Sequence, residues 1–177
     1  MEFVLLTEEQ KQEFFQDILH MMQLSDKDFV PPLSERSSTT QSSLAGQGEK
    51  GEGSVLNYLS EMIHQPILAA VEDGKILEFI SFKENYVTDG IDEKDLPNIY
   101  LSTLILHPDG RGRGLTKQLY GHLFNELYAD RNIFTRTWST NVPHIKILSF
   151  FGFEELKRLK DHRGAGIDTV YYVKRRF

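Results

Sequence analysis

The segment from Ile99 to Thr116 constrains the fold more than any other. An apolar, β-branched run stops at His107-Pro108, turns through Asp109-Gly110, and continues into Arg111-Gly112-Arg113-Gly114, with glycine at every second place. Beyond it Leu115, Leu119, Leu123 and Leu127 fall on one face of a predicted helix, with Tyr120, Phe124 and Tyr128 beside them. A strand that feeds a glycine-rich turn and then a helix presents backbone N–H groups that lack intrahelical partners, at the positive end of the helix dipole. Gly112 and Gly114 remove the side chains that would keep a phosphate from that backbone. Arg111 and Arg113 add mobile positive charge. The segment reads as a diphosphate-binding turn; its plainer reading is a helix-capping loop with arginines in solvent.

Spacing narrows the ligand. A Walker loop needs Lys directly after its last glycine, and Gly114 is followed by Leu115. A dinucleotide fingerprint needs a third glycine where Lys117 stands. The turn fits Arg/Gln-x-x-Gly-x-Gly/Ala, led by Arg111, with Gly114 in place and Thr116 at the small-residue position. Downstream, Asn141 to Phe153 fits Asn-x-x-Ala-x-x-x-Tyr-x-x-x-Gly-Phe, with His144 and Leu148 at the Ala and Tyr positions. Asn141 is expected to cap a helix from Val142, Pro143 suits its first turn, and Gly152 supplies a left-handed stop before Phe153 opens a strand. The two segments, in this order, resemble the acetyl-CoA-binding motifs of the GNAT-superfamily N-acetyltransferases. The likeness in element order spans nearly the whole chain; the specific motifs lie between Leu104 and Phe153.

The resemblance implies an α/β chain with the GNAT fold. That fold is a mixed, twisted, mostly antiparallel sheet flanked by helices, in the order β-α-α-β-β-β-α-β-α-β-β. It implies one domain over 1–177 and a sheet splayed between the motif strand and the next. Acetyl-CoA would be the co-substrate, with no metal. The main chain of Leu104, Ile105 and Leu106 would pair with the pantetheine arm, and Asn141 would bond that arm through its side chain. The diphosphate would rest on the backbone of Arg111, Gly112, Arg113, Gly114, Leu115 and Thr116. The implied reaction is acetyl transfer to a primary amine of a small molecule or peptide. A catalytically weak acyl-CoA-binding or regulatory protein is the alternative, because the family's general-acid Tyr falls at Leu148. A nucleotide-dependent phosphotransferase is a third reading.

Composition bears on partners. A net charge of −6 argues against nucleic acid, which requires a basic field. The absence of cysteine removes disulfides, thiolate metal ligands and a thiol nucleophile. No apolar run reaches membrane-spanning length and no secretory leader is evident, so a cytoplasmic setting without membrane contact is expected. A homodimer is compatible with the resemblance, though no residue establishes it.

Periodicity places the remaining elements. Phe3–Leu6 reads as a strand, and Thr7 to Gln10 as a capping box before a helix with Phe14, Phe15, Ile18, Leu19 and Met22 as its apolar stripe. Residues 31–54 are rich in Ser, Gly and Thr, bury almost nothing on this reading, and are expected to form a long mobile loop. Val55–Ile63 follows as a helix capped by Ser54. Ile67–Val71 and Ile76–Phe82 form a hairpin. Strands at Ile133–Trp138, Phe153–Leu159 and Thr169–Val173 complete the set.

No catalytic residue is assigned. Leu148 cannot donate a proton, and Ser149 lies about 100° round the helix. His144 is either a proton relay or a surface imidazole. Alternation puts Glu78 with Ile76 and Ile80, either as a base with a raised pKa or projecting from a sheet edge into water. Tyr100 and Ser102 could anchor a water that takes the amine proton. Trp138 is expected in the core. The Gly-rich closing hairpin is by default a turn; the sharper reading puts Arg163 or Asp168 in the acceptor pocket.

Overall fold

The computed structural model describes residues 1–42, 44 and 54–176. In chain order the elements are β1 (Glu2–Leu5), α1 (Glu8–Glu13), α2 (Phe15–Ser25), α3 (Ser54–Met62), β2 (Ile67–Glu72), β3 (Lys75–Glu84), β4 (Asn98–Leu106), α4 (Leu115–His122), β5 (Asn132–Trp138), α5 (Val142–Phe150), β6 (Glu154–Leu159) and β7 (Thr169–Lys174). This is the expected order, except that the first helix breaks at Phe14 into α1 and α2. The Thr7 capping box forms: the Thr7 hydroxyl accepts from Gln10 N, and the Gln10 side chain accepts from Thr7 N.

The strands make one seven-stranded sheet in the order β1-β2-β3-β4-β5-β7-β6. β4 and β5 run parallel and every other pair antiparallel. Both faces are covered, so the central strands are apolar on both sides. Along β2, Leu68 and Ala70 join α4 and α5 on one face, while Ile67 and Ala69 join α2 and α3 on the other.

Two bulges reset which side chains share a face. The register between β2 and β3 steps at Leu77, so Ile76 packs with α2 and α3 while Glu78 and Ile80 turn towards α4. Glu78 therefore shares its face with Ile80 but not with Ile76, which corrects the simple alternation. A second step in β4 leaves Ser102 without an opposite on β3 and switches the face from Leu101 to Leu104.

A comparable shift occurs after α4. The turn Leu123–Leu127 is π-helical, closed by Tyr128 N–H donating to Leu123 O, five residues back. The expected leucine face therefore ends at Leu123: Leu127 is 40% exposed, and Phe124 and Tyr128 fill the core in its place.

The part of 31–54 that the structure describes buries more than its composition suggests. Leu33, Arg36, Thr39 and Leu44 are buried. Thr39 N donates to Glu61 Oε2 at 2.7 Å and Gln65 Nε2 donates to Thr39 Oγ1 at 2.9 Å, tying this stretch to α3 and the turn after it. The expectation for residues 43 and 45–53 lies outside the described residues.

Candidate active site

The β4–β5 pairing covers only Asn98–Leu101 against Asn132–Thr135. Past that point the strands part, so the β5-facing edge of β4 from Ser102 onward is left without a strand partner. The expected splay is thus present. A cavity of about 260 Å³ opens in it, walled by β4, β5, α5 and the end of α2.

One end of the cavity reaches Arg111 and Thr116, which flank the glycine turn. Gly112 and Gly114 have φ of +74° and +69°, in the left-handed region where a Cβ is strained. Gly110 is needed for a different reason: a Cβ there would lie 2.8 Å from Leu106 Cδ1 and 3.0 Å from Leu115 Cδ1. These constraints draw the turn tightly between β4 and α4. The N–H groups from Gly112 to Lys117 have no hydrogen-bond partner among the described residues, which is the donor array that an anion at a helix start requires.

Of the residues expected to hold the cofactor, Leu104, Ile105, Leu106, Arg111, Thr116 and Asn141 line this cavity. Gly112, Arg113, Gly114 and Leu115 do not line it; the Leu115 side chain is buried beneath the turn. The two arginines are not mobile charges. Arg113 makes a two-pronged ion pair with Glu72 at 2.9 and 2.8 Å, and Arg111 reaches Asp28 at 3.5 Å. Asn141 precedes α5 but its side chain caps nothing. Its Nδ2 donates to Thr137 Oγ1 at 3.0 Å, while its carbonyl accepts from Ile145 N.

Glu78 lines the cavity but has no exposed surface, so it does not project into water. It accepts from Thr116 Oγ1 at 2.5 Å, and its Oε2 is buried without a partner among the described residues. Burial raises its pKa from an ordinary 4.5 to about 7, with the Thr116 hydrogen bond opposing the rise. Across from it, Tyr120 OH and His144 Nε2 are 2.8 Å apart, and both residues line the cavity. Desolvation lowers the His144 pKa to about 4 and raises that of Tyr120, so His144 is neutral at pH 7 and Tyr120 keeps its proton. His144 is therefore a cavity residue rather than a surface imidazole.

Leu148 is fully buried in the core, whereas His144 and Ile147 turn the cavity-facing side of α5 inward. Ser149 is exposed. Ser102 lines the cavity with a buried hydroxyl that has no partner among the described residues, while Tyr100 packs with Ile91, Phe134 and Val173 away from it. Trp138 is a wall of the cavity rather than core, 5.6 Å from the Phe29 ring. Arg163 and Asp168 do not line the cavity. Arg163 is buried, donating to Thr169 Oγ1 and Val30 O, and Asp168 accepts from Arg158 and Asp161 N within the hairpin.

Sequence reading missed the Tyr120–His144 pair and the role of Phe29. Tyr120 itself had a signal, since it lies one helical turn from Thr116 on α4; its meeting with His144 on α5, like the role of Phe29, had none. Among the described residues no cluster of three or more His, Asp or Glu could hold a metal ion, and no helix is long and apolar enough to cross a membrane.

The acetyltransferase (GNAT) family model matches residues 22–153, well over half of the chain. No curated protein sequence matches. Among solved structures, the ribosomal-protein-alanine N-acetyltransferase from Brucella melitensis superposes with a TM-score of 0.64 at 17% identity, covering 99% of both chains. An aminoglycoside 6'-acetyltransferase type Ii gives 0.67 at 15%, over 99% of this chain and 97% of that one. A candidate acetyltransferase from Salmonella typhimurium, solved with its cofactor acetyl-CoA, gives 0.59 at 14%, over 99% and 93%. At these identities the likeness is one of fold.

Proposed function

The chain belongs to the GNAT acetyltransferase family, and from that premise we propose that it transfers an acetyl group from acetyl-CoA to a primary amine of a small molecule or peptide. One observation carries the reading: a single cavity runs along the unpaired edge of β4, from Arg111 and Thr116 to Arg136 and Trp138. An elongated molecule with an anionic end fits that path, its diphosphate at the free amides and its acyl end in the splay.

When bound, acetyl-CoA supplies an activated thioester carbonyl. The amides from Gly112 to Thr116 would hold the diphosphate and the backbone of Leu104, Ile105 and Leu106 would pair with the pantetheine. Asn141, whose Nδ2 is engaged with Thr137, would offer its Oδ1 to the same arm. The exposed backbone edge of β4 would also polarise the carbonyl. Tyr120 would fill the role that Leu148 cannot: its phenol lines the cavity, and neutral His144 beside it can pass a proton on. Glu78 sits against Thr116 at the anion end, so it is not placed for the amine. Ser102 Oγ offers the anchor for a water that takes the amine proton.

The test is thiol release from acetyl-CoA across an amine panel, beside calorimetry with acetyl-CoA. Tyr120→Phe should lower kcat by roughly 100-fold, the usual contribution of a positioned acid, with acetyl-CoA affinity within about threefold. Unchanged kcat would remove Tyr120 from the mechanism. Acetyl-CoA binding without turnover of any amine would favour the weak acyl-CoA-binding alternative, for which the aliphatic residue at 148 speaks.

A further inference from the structure

Beyond the β5 wall of the cavity stand Arg36, Arg136 and Arg163, brought together from the segment after α2, from β5 and from the β6–β7 hairpin. Arg36 is 8% exposed and Arg163 7%. Among the described residues none of the three makes an ion pair. They are held by neutral groups instead. Arg36 Nε donates to Pro31 O, Arg163 to Val30 O and Thr169 Oγ1, and Arg136 to Gln41 O at 2.9 Å and Tyr171 OH at 3.4 Å. Arg36 Nη2 is buried with no partner among the described residues.

Carboxylates are not scarce in this chain, which has 26 Asp and Glu against 20 Lys and Arg. Several other arginines use them: Arg113 pairs with Glu72, Arg158 with Glu155 and Asp168, and Arg175 with Asp95. Burying an unpaired cation is costly; Arg36 and Arg163 are buried, and half-buried Arg136 stands in their field. Burial, then the charges of Arg36 and Arg136, lower the Arg163 pKa to about 9.

The cluster faces the cavity through its walls. Arg136 lines it directly. The Arg36 guanidinium lies 5.3 Å from the centre of the Phe29 ring and that of Arg163 5.6 Å from Trp138, and both rings line the cavity.

We propose that this end of the cavity binds a carboxylate on the acceptor, so that the amine acetylated belongs to a molecule that also carries a carboxylate, such as an amino acid. Arg136 makes the contact, a planar donor suited to two-pronged recognition. Arg36 and Arg163 position the anion by their field. The inference rests on the acetyl-transfer reading, with the cofactor's diphosphate at the opposite end.

The experiment uses pairs of acceptors that differ only by the carboxylate, L-phenylalanine against 2-phenylethylamine and L-lysine against cadaverine, with the full chain saturated in acetyl-CoA. The acid of at least one pair should have a kcat/KM roughly 10- to 100-fold higher, the range for a hydrogen bond between charged groups, expressed in KM. Arg136→Gln should erase that preference without changing acetyl-CoA affinity, and Arg136→Lys should restore part of it. Equal use of both members overturns the proposal, as does Arg136→Gln depressing both alike, or no turnover of any acid by a protein that binds acetyl-CoA. Absence of heat with acetyl-CoA would instead strike at the cofactor end. The amino acids are therefore also titrated without cofactor, and no heat from them in wild type then overturns the proposal on its own.

Discussion

The two ends of the cavity hold positive charge in opposite ways. At the glycine turn the donors are backbone amides, and the nearby arginines are exposed and already matched to Glu72 and Asp28. At the far end the donors are the guanidiniums of buried Arg36 and Arg163 and of half-buried Arg136, none with a carboxylate partner among the described residues. A backbone array is fixed by the path of the chain and tolerates almost any side chain, provided the glycines stay. A guanidinium array depends on three side chains and can be altered one at a time. The first end suits a ligand common to a whole family; the second suits one that differs from member to member.

The sharpest way to break this contrast is Gly114→Val. A β-branched residue at a φ of +69° costs of order 1–3 kcal/mol in backbone strain, and relief of that strain turns the amides from their common point. We expect acetyl-CoA affinity by calorimetry to fall roughly 100-fold or more, about 3 kcal/mol, while the amino-acid titration at the arginine end stays within about threefold. Retained acetyl-CoA affinity would mean that side chains, not amides, hold the anion.

Glu78 tests the same end through pH. Its pKa is raised from 4.5 to about 7 by burial. The native state therefore holds a proton that the unfolded chain has released, and the stability this group contributes is complete below pH 4.5 and lost as pH rises through 7. The difference is about 3 kcal/mol. His144, lowered to about 4, acts in the other direction: its contribution is complete above pH 6.5 and lost on acidification. The two slopes nearly cancel in wild type between pH 4.5 and 6.5. Glu78→Gln should raise stability by about 3 kcal/mol at pH 8, measured by urea unfolding, and expose the His144 slope below pH 6.5. A charged carboxylate beside Thr116 should weaken acetyl-CoA binding above pH 7, and Glu78→Gln should remove that pH dependence. A variant no more stable than wild type at pH 8 would show that Glu78 is already ionised and partnered.

What could be read from the sequence follows the same division. The turn is local: alternating glycines between a β-branched run and a leucine repeat fix φ, donors and direction within one segment, and Gly110 to Thr116 behave accordingly. The splay was expected from family likeness rather than from composition. Irregularities of one residue escaped the pattern, because pairing decides them. The bulge at Leu77 turned Glu78 away from Ile76, and the π-helical turn moved Leu127 to the surface. The arginine cluster was illegible for a stronger reason. Arg36, Arg136 and Arg163 meet only because β5 pairs with β7 and the segment after α2 folds against them, so no window of sequence contains more than one. The most conspicuous arginines, 111 and 113, are the ones already occupied.

That last point yields the smallest expected effect. Arg113 is one of the two arginines expected from the sequence to supplement the amides at the diphosphate, yet both its terminal nitrogens face Glu72 and its side chain is 39% exposed. An exposed pair of this kind contributes about 0–1 kcal/mol, and breaking it would cost the ligand whatever it returned. Arg113→Ala should therefore change acetyl-CoA affinity by less than about threefold and stability by less than about 1 kcal/mol. A loss beyond roughly tenfold would show that Arg113 leaves Glu72 when the anion arrives. The amides would then not suffice alone, and both ends of the cavity would work by side-chain charge, erasing the distinction between them.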